Sequence, residues 1–397
     1  MKRRVKNNVY WIGKIDWELK KFHGDDYTID HGSSQNAYLI QEKKTVLVDT
    51  VWDPHADEFI NNLEEEINIS DIDLIVINHG ERDHSGTLPY IMEKIPNIPI
   101  YCTANSVKSL TGQYHHPEWN FIPVKTGDSI DIGNGKKLVF VEMRMLHWPD
   151  NMATFMTGDN ILFSNDAFGQ HFAVNELFND LADKCLLISE AEKYFANILM
   201  PFASKVRDKI DEIKKMDLPI EIIAPSHGAI WRENPMQIID LYAKWADSYQ
   251  ENQITVIYDT VWNGTAILAD RIGQEIGKLS PNTIVKIYNI SKTDKTEIIA
   301  QVFRSKAIAV GSPTVINDIL SSMAGWIHFL DSLKFSGKKA AVFGCYGWSG
   351  EGNSVLRKSL AEAGFSVIEP EIKCNWTPEE KDLEQAIAVA KELLETE

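Results

Sequence analysis

The sequence predicts an α/β protein of two unlike units: a layered α/β sandwich over residues 1–252, then an open, doubly wound parallel sheet of five strands over residues 253–397. Three observations carry this expectation. Short β-like runs flank helical stretches through the first part, strands and helices alternate strictly from about Gln253, and the charge balance changes at the same point. Residues 1–252 hold 25 basic and 39 acidic residues (−14), leaving 15 and 18 (−3) for residues 253–397. The polar stretch Ser248-Tyr-Gln-Glu-Asn-Gln253 is the natural joint between them.

In the first unit, Ala37–Ile40, Thr45–Val48, Leu74–Ile77, Ile100–Cys102 and Leu138–Val141 are short runs rich in β-branched and aliphatic residues. Turn formers such as Gly133-Asn134-Gly135 separate them. Ala56–Glu66 and Leu88–Lys94 have helical character, and Glu190–Lys215 reads as one longer amphipathic run. A strand at Glu221–Ala224 then leads into Ser226-His227-Gly228. Strands on both sides of a helical layer favour a sandwich over a single parallel sheet.

In the second unit the predicted strands are Ile254–Tyr258, Thr283–Tyr288, Ala307–Val310, Ala340–Phe343 and Ser366–Ile368. The predicted helices between and after them run from Thr265 to Lys278, Lys295 to Phe303, Ile319 to Leu333, Ser354 to Ala363 and Pro378 to Leu394. Five β-α units in so short a span make a doubly wound sheet of the flavodoxin type.

Composition narrows the function classes. The chain has 397 residues, of which 44% are hydrophobic and 24% charged, the balance of a soluble globular protein. No stretch approaches the roughly 20 apolar residues that span a bilayer. The basic start Met1-Lys-Arg-Arg-Val-Lys has no apolar segment behind it, so no membrane partner is expected and a cytoplasmic location is. A formal charge of −17 repels a phosphate backbone, so no nucleic-acid partner is expected either. Cys102, Cys185, Cys345 and Cys374 form no C-x-x-C pair, which excludes a four-cysteine iron site and a thioredoxin motif.

Chemistry concentrates after the strand at Leu74–Ile77, in His79-Gly80-Glu81-Arg82-Asp83-His84. Four ligand-capable side chains fall within six residues, and Gly80 permits a tight turn there. A solvated loop with a hydrogen-bonded histidine is the plain alternative for this segment alone. Three further residues each stand at the end of a strand or just past it: His147 in Leu146-His-Trp-Pro-Asp150 after Leu138–Val141, Asp166 ending the strand-like Ile161–Asp166, and His227 after Glu221–Ala224. If the strand ends face one cleft, His79, Glu81 and His147 serve one metal, Asp83, His84 and His227 a second, and Asp166 bridges them.

In the second unit Asp259-Thr260-Val261-Trp262-Asn263-Gly264-Thr265 joins the first strand to the first helix. Backbone N–H groups and hydroxyls at a helix start suit the phosphate of a mononucleotide. The segment resembles the flavodoxin phosphate loop T-x-T-G-x-T, with Trp262 and Asn263 in place of the central Thr-Gly. Two more loops end the third and fourth strands: Gly311-Ser312-Pro313-Thr314-Val-Ile-Asn317, and Gly344-Cys345-Tyr346-Gly347-Trp348-Ser349-Gly350. Aromatic residues among glycines at that edge fit an isoalloxazine ring, so FMN is the expected cofactor.

The pattern H-x-E-x-D-H followed by His, Asp and His resembles the metallo-β-lactamase-like αββα core of the flavodiiron proteins, also called A-type flavoproteins. The Gly-Trp-Ser-Gly run resembles their flavodoxin-like domain, and the likeness covers essentially the whole chain in the same order. Zinc hydrolases with that core usually carry H-x-H-x-D-H. Glu81 in place of the second histidine makes the site harder and more anionic, which suits iron better than zinc.

The resemblance implies two non-heme irons and FMN, with O2 reduced to water, NO to N2O, or both. It implies the two-domain form, with electrons from a separate carrier such as rubredoxin, because the chain reaches Glu397 without the cysteines of a rubredoxin domain. His23, His171 and Tyr194 resemble residues around the metal ligands in the family, whereas His31, His55, His115, His116 and His328 read as structural or surface residues. A head-to-tail homodimer, or a dimer of such dimers, is also implied. The ligands and the flavin loops collect at the strand ends of different units, and the short joint offers no evident way to bring these edges face to face within one chain. The rivals are a zinc hydrolase with an accessory flavodoxin domain and an electron carrier with a structural metal site.

Overall fold

The computed structural model describes residues 2–395. Its contacts divide the chain into two compact units: residues up to Tyr194 with Phe202–Ala243, and Phe195–Pro201 with the residues from Lys244 onward.

The first unit holds a seven-stranded sheet whose order follows the chain: β1 (Arg3–Lys6), β2 (Val9–Trp11), β3 (Tyr38–Gln41), β4 (Thr45–Val48), β5 (Leu74–Val76), β6 (Ile100–Thr103) and β7 (Phe121–Val124). Neighbours from β1 to β4 are antiparallel, and from β4 to β7 parallel. A second sheet comprises β8 (Ser129–Gly133), β9 (Lys136–Glu142), β10 (Met152–Met156), β11 (Ile161–Asn165) and β12 (Ile222–Pro225). Only the last pair, β11 with β12, is parallel.

The two-residue period of a strand decides which face each side chain joins. Tyr38, Ile40, Val46, Val48, Leu74 and Val76 meet Leu138, Phe140, Met156 and Phe163 of the second sheet in one buried cluster. Leu39, Leu47 and Ile75, one position out of step, meet the helices α1 (Ala56–Glu64), α2 (Leu88–Lys94) and α3 (Ala104–Tyr114) through Phe59, Leu63, Leu88, Ile91 and Leu110. The sheets therefore pack face to face, with helices on the outer face of the first. Thr103 fixes the start of α3 by accepting from Ser106 N at 3.0 Å.

The run Glu190–Lys215 departs from the expected single helix. It divides into α4 (Lys184–Tyr194), a π-helical turn Phe195–Leu199, a 3-10 turn Met200–Phe202 and α5 (Ala203–Lys215). Pro201 brings no N–H to the helical ladder. The Phe195 ring belongs instead with Trp245 and Phe303, at centroid separations of 5.6 and 5.7 Å, and Asn197 Nδ2 donates to the Thr296 carbonyl at 3.1 Å.

In the second unit the strands are β13 (Glu251–Tyr258), β14 (Ile284–Asn289), β15 (Ser305–Gly311), β16 (Lys339–Tyr346), β17 (Ser366–Val367) and β18 (Ile372–Asn375). The sheet order is β14-β13-β15-β16-β17, all parallel, the two-one-three-four-five order of a flavodoxin-like sheet. The fifth position is split, because β17 and β18 both pair with β16 on either side of Pro370. The crossover helices are α6 (Gly264–Leu279), α7 (Lys295–Arg304), α8 (Ser321–Ser332) and α9 (Gly352–Glu362), and α10 (Glu380–Leu394) ends the unit. Ile254, Val256, Leu268, Ile272, Ala309, Phe343 and Val389 form its core on one face. Among the described residues, no helix is long and apolar enough to cross a membrane.

The face assignment has a direct test. Leu138 is fully buried between the sheets, and Lys137 beside it is exposed. Leu138→Ala is expected to cost about 2–5 kcal/mol and Lys137→Ala under about 0.5 kcal/mol, read from denaturant unfolding curves.

Candidate metal centre and cofactor cavity

The parallel strands of the first unit, and β11 and β12 of the second sheet, deliver their C-terminal ends to one place. His79 follows β5, and a single helical turn, Arg82–Ser85, holds Asp83 and His84 on buried backbone. His147 lies in the loop between β9 and β10, Asp166 directly follows β11, and His227 follows β12 by two residues. All except Glu81 are less than a tenth exposed.

Asp166 organises the cluster. Its Oδ2 lies 3.7 Å from His79 Nε2 and 3.3 Å from His147 Nε2, while its Oδ1 lies 3.0 Å from His84 Nε2 and 3.5 Å from His227 Nε2. Glu81 Oε2 completes the first side, at 3.2 Å from His79 Nε2 and 3.5 Å from His147 Nε2. Asp83 Oδ2 completes the second, at 3.3 Å from His84 Nε2 and 3.1 Å from His227 Nε2. Two groups result, His79, Glu81, His147 and Asp166 on one side and Asp83, His84 and His227 on the other, each with its donor atoms within 4.8 Å of one another.

Electrostatics and hydrogen bonding both point to missing positive charge. Burial alone would raise Glu81 and Asp166, yet hydrogen bonds and charges from the surrounding histidines hold both well below the carboxylate range. Burial would lower His84, but the carboxylates of Asp83 and Asp166 lift it to about 9. Both Asp83 oxygens, Asp166 Oδ2 and His84 Nε2 are buried without a hydrogen-bond partner. Polar atoms left so in a native core need an explanation. Two divalent or trivalent ions, one in each group, supply it: four imidazoles and three carboxylates fit borderline-to-hard first-row metals.

The side chains behind the donors fix their orientation. Asp150 Oδ2 takes His79 Nδ1 at 3.2 Å and accepts from Gly80 N at 2.8 Å, and the Ser34 carbonyl lies 2.7 Å from His227 Nδ1. Such partners set the tautomer and leave Nε2 free to face a metal. Asp49 is fully buried, accepts from Asn78 N at 2.7 Å, and is raised by burial to about 6. Sequence reasoning missed Asp150, Ser34 and Asp49; for Asp150 the available signal was its place three residues after His147.

The three flanking residues lie beside the same cluster. His23 Nε2 is 3.6 Å from Glu81 Oε1 on a two-stranded hairpin, Lys21–Phe22 with Tyr27–Thr28. The His171 ring lies 4.8 Å from the His227 ring, tilted against it, and 5.4 Å from the Tyr194 ring in an edge-to-face contact. Its Nδ1 meets Ser33 Oγ at 2.9 Å, its Nε2 has no hydrogen-bond partner, and burial, with the neighbouring His227 and His23, pushes it well below the usual histidine range.

In the second unit a cavity of ≈530 Å3 opens at the C-terminal ends of β13, β15 and β16, where the strand order reverses. Thr260, Val261, Trp262, Gly264 and Thr265 line it, with Pro313, Thr314 and Asn317, and with Cys345, Tyr346, Gly347, Trp348 and Ser349. Val315, Ile316 and Trp376 also line it, without having been expected to. Trp376 follows β18, a strand that sequence reasoning did not see. Of the expected contacts, Asn263, Ser312, Gly344 and Gly350 do not line the cavity. Asn263 precedes α6 in a left-handed turn (φ 64°), and Ser312 Oγ instead accepts from Leu320 N at 3.1 Å. Thr260 Oγ1 and Thr265 Oγ1 are buried without hydrogen-bond partners near the start of the 16-residue helix α6, where the positive end of the helix favours an anion.

Comparison with known proteins agrees with both halves of this geometry. Residues 33–228 match the family described as ODP family beta lactamase, and residues 256–388 match Flavodoxin. The anaerobic nitric oxide reductase flavorubredoxin of Vibrio vulnificus is 52% identical over 381 residues, 96% of this chain and 77% of that protein. Its counterpart in Escherichia coli O1:K1 / APEC is 50% identical over 380 residues, covering 96% and 79%. Among solved structures, the rubredoxin oxygen:oxidoreductase of Desulfovibrio gigas superposes with a TM-score of 0.95 at 30% identity, covering 99% of this chain and 98% of that one. The flavodiiron protein of Giardia intestinalis gives 0.94 at 28% identity, covering 99% and 96%. With that likeness spanning both units and the metal-ligand pattern intact, the chain belongs to the flavodiiron protein family.

Proposed function

We propose that this protein is a flavodiiron oxidoreductase that reduces NO to N2O, O2 to water, or both, with His79, Glu81, His147, Asp83, His84, His227 and Asp166 as its iron ligands. The observation that carries the ligand assignment is the division of Asp166, one oxygen facing each group of donors. Two irons bound there supply ferrous–ferric redox chemistry, and FMN bound in the second unit adds two electrons to the two that the irons store, matching the four that O2 requires. NO coupling needs only two, so one site serves either gas. The names of the relatives at 50–52% identity favour NO. A zinc hydrolase is the weaker reading, because Glu81 replaces an imidazole and hydrolysis has no use for a flavin.

The chain's own residues have separable tasks. Glu81, Asp83 and Asp166 balance the charge of the metals. Asp150 and the Ser34 carbonyl hold His79 and His227 in the tautomer that presents Nε2. His171, kept neutral by burial, packs against the His227 and Tyr194 rings and helps hold the His227 side of the cluster in place. Thr260 and Thr265 would hold the flavin phosphate near the start of α6, and Trp348, Tyr346 and Trp376 would offer the ring its aromatic walls.

A head-to-tail homodimer completes the electron path, with the flavin of one chain feeding the irons of its partner. Trp262, Ile316, Trp348 and Trp376 are between 64% and 92% exposed around the cavity mouth, a concentration of apolar surface that calls for a protein cover. Closed two-fold symmetry is the commonest way to provide it. Rubredoxin or a similar small carrier is the electron donor, and the cytoplasm is the working compartment.

Three outcomes test this function. Asp166→Ala is expected to lose both irons, by metal analysis, and to lower gas reduction by at least about 100-fold while the flavin absorbance persists. Full iron content with normal turnover would remove Asp166 from the ligand set. Glu81→His is expected to shift metal content from iron toward zinc, and an iron-loaded variant with unaltered turnover would show that this residue does not select the metal. Mixing chains that carry His79→Ala and His147→Ala with chains that carry Thr260→Ala and Thr265→Ala is expected to restore one working site per heterodimer. A mixture as inactive as its parents would rule out transfer between chains.

A further inference from the structure

The second unit carries a pair of cysteines for which the proposed reaction has no use. Cys345 near the end of β16 and Cys374 in β18 are direct register partners in neighbouring parallel strands. Both side chains therefore leave the sheet on the same face, from backbones about 4.8 Å apart. Disulfides span Cα separations of roughly 4.4–6.8 Å. Both thiols are free, and each is within interaction reach of the other. Only Cys345 faces the cavity: it lines the wall beside Gly264, where an added methyl group would fall 2.8 Å from its sulfur. Cys374 is fully buried behind it, 3.7 Å from Asp382 Oδ2.

We propose that Cys345 and Cys374 are a dithiol–disulfide couple guarded by the occupant of the cavity, so that bound FMN shields Cys345 from hydrogen peroxide and loss of FMN exposes it. This rests on the assignment of the cavity to FMN. In the first step the Cys345 sulfur attacks one peroxide oxygen, the O–O bond breaks, and Cys345 sulfenic acid and one water result. In the second the Cys374 sulfur attacks the Cys345 sulfur, the S–O bond breaks, and a second water leaves as the disulfide closes. The two thiols lose two electrons and peroxide gains them.

Burial supplies the guard. It pushes the Cys345 thiol up and, with Cys345 and Asp382 nearby, takes Cys374 to about 12, and a thiol held protonated is a poor nucleophile. Bound FMN adds to this by covering the cavity wall that Cys345 lines, the face through which peroxide reaches its sulfur. Closing the disulfide stops oxidation at a stage that a reductant reverses, ahead of the sulfinic and sulfonic acids. A chain that has lost its flavin thus keeps its cavity wall recoverable.

The test treats the full-length protein with limiting hydrogen peroxide, once with FMN bound and once after FMN removal, then alkylates and maps the peptides. The FMN-depleted protein is expected to form the Cys345–Cys374 bridge at least about tenfold faster than the loaded one and to lose it on reduction. In Cys374→Ser, a sulfenic acid trapped at Cys345 by dimedone is expected in place of the bridge. Exposed Cys185 reports that peroxide was active in both samples. Absence of the bridge in the depleted protein, or equal rates with and without FMN, overturns the proposal. Flavin absorbance separates the causes: a chain that takes up no FMN ends both the cofactor assignment and this one, whereas bound FMN without protection ends this one alone.

Discussion

Three carboxylates gathered among four imidazoles, with Asp166 facing all four and Glu81 and Asp83 facing two each, set the central constraint on this molecule. Like charges so close, and so far from water, repel strongly unless positive charge sits among them. The imidazoles meet part of the demand by binding protons, which is why His84 is raised despite its burial. Two metal ions would meet it fully, and every candidate donor lies just past a strand end, with Asp83 and His84 on the helical turn Arg82–Ser85. The rigidity of the sandwich is thus what makes the charge cluster tolerable. The apolar contact between the sheets fixes where β5, β11 and β12 stop, and where they stop fixes the distances around Asp166.

The second unit answers a different demand with the same economy. Its central strands carry largely apolar runs such as Ile254–Ile257 and Ala307–Val310, and the cavity opens where they end, at the reversal point of the sheet. In each unit some of the buried polar atoms that lack partners lie at the strand ends where chemistry is expected: Asp83, His84 and Asp166 in one, Thr260 and Thr265 in the other. Ligand-shaped deficits of this kind are stronger evidence for bound groups than the presence of suitable residue types.

Much of the site was legible in the sequence because its signal was local. His79, Glu81, Asp83 and His84 fall within six residues, and His147, Asp166 and His227 each announce themselves by following a strand. The flavin loops were legible for the same reason. What escaped was non-local. Asp49, Ser34 and the hairpin around Phe22 reach the cluster from distant parts of the chain, and nothing in their immediate neighbours marks them. Trp376 escaped because Pro370 interrupts the last strand position, leaving β18 too short and too mixed in character to be recognised. The break at Phe195–Phe202 escaped because the apolar spacing on either side stays helical, while the cause is a partner some hundred residues away, at Thr296 and Phe303.

That break has a bearing on how the protein can be divided, by experiment or by evolution. Phe195–Pro201 lies within the sequence of the first unit yet belongs structurally to the second. No single cut between the units leaves both whole. A fragment beginning near Gln253 would lack the fully buried Phe195 ring beside Trp245 and Phe303, a loss on the scale of a large-to-small core replacement, about 3–5 kcal/mol. The flavin half is therefore not a module that recombination can lift out at the joint and attach elsewhere unaltered. The seven residues that such a cut leaves behind lie some fifty positions ahead of the joint.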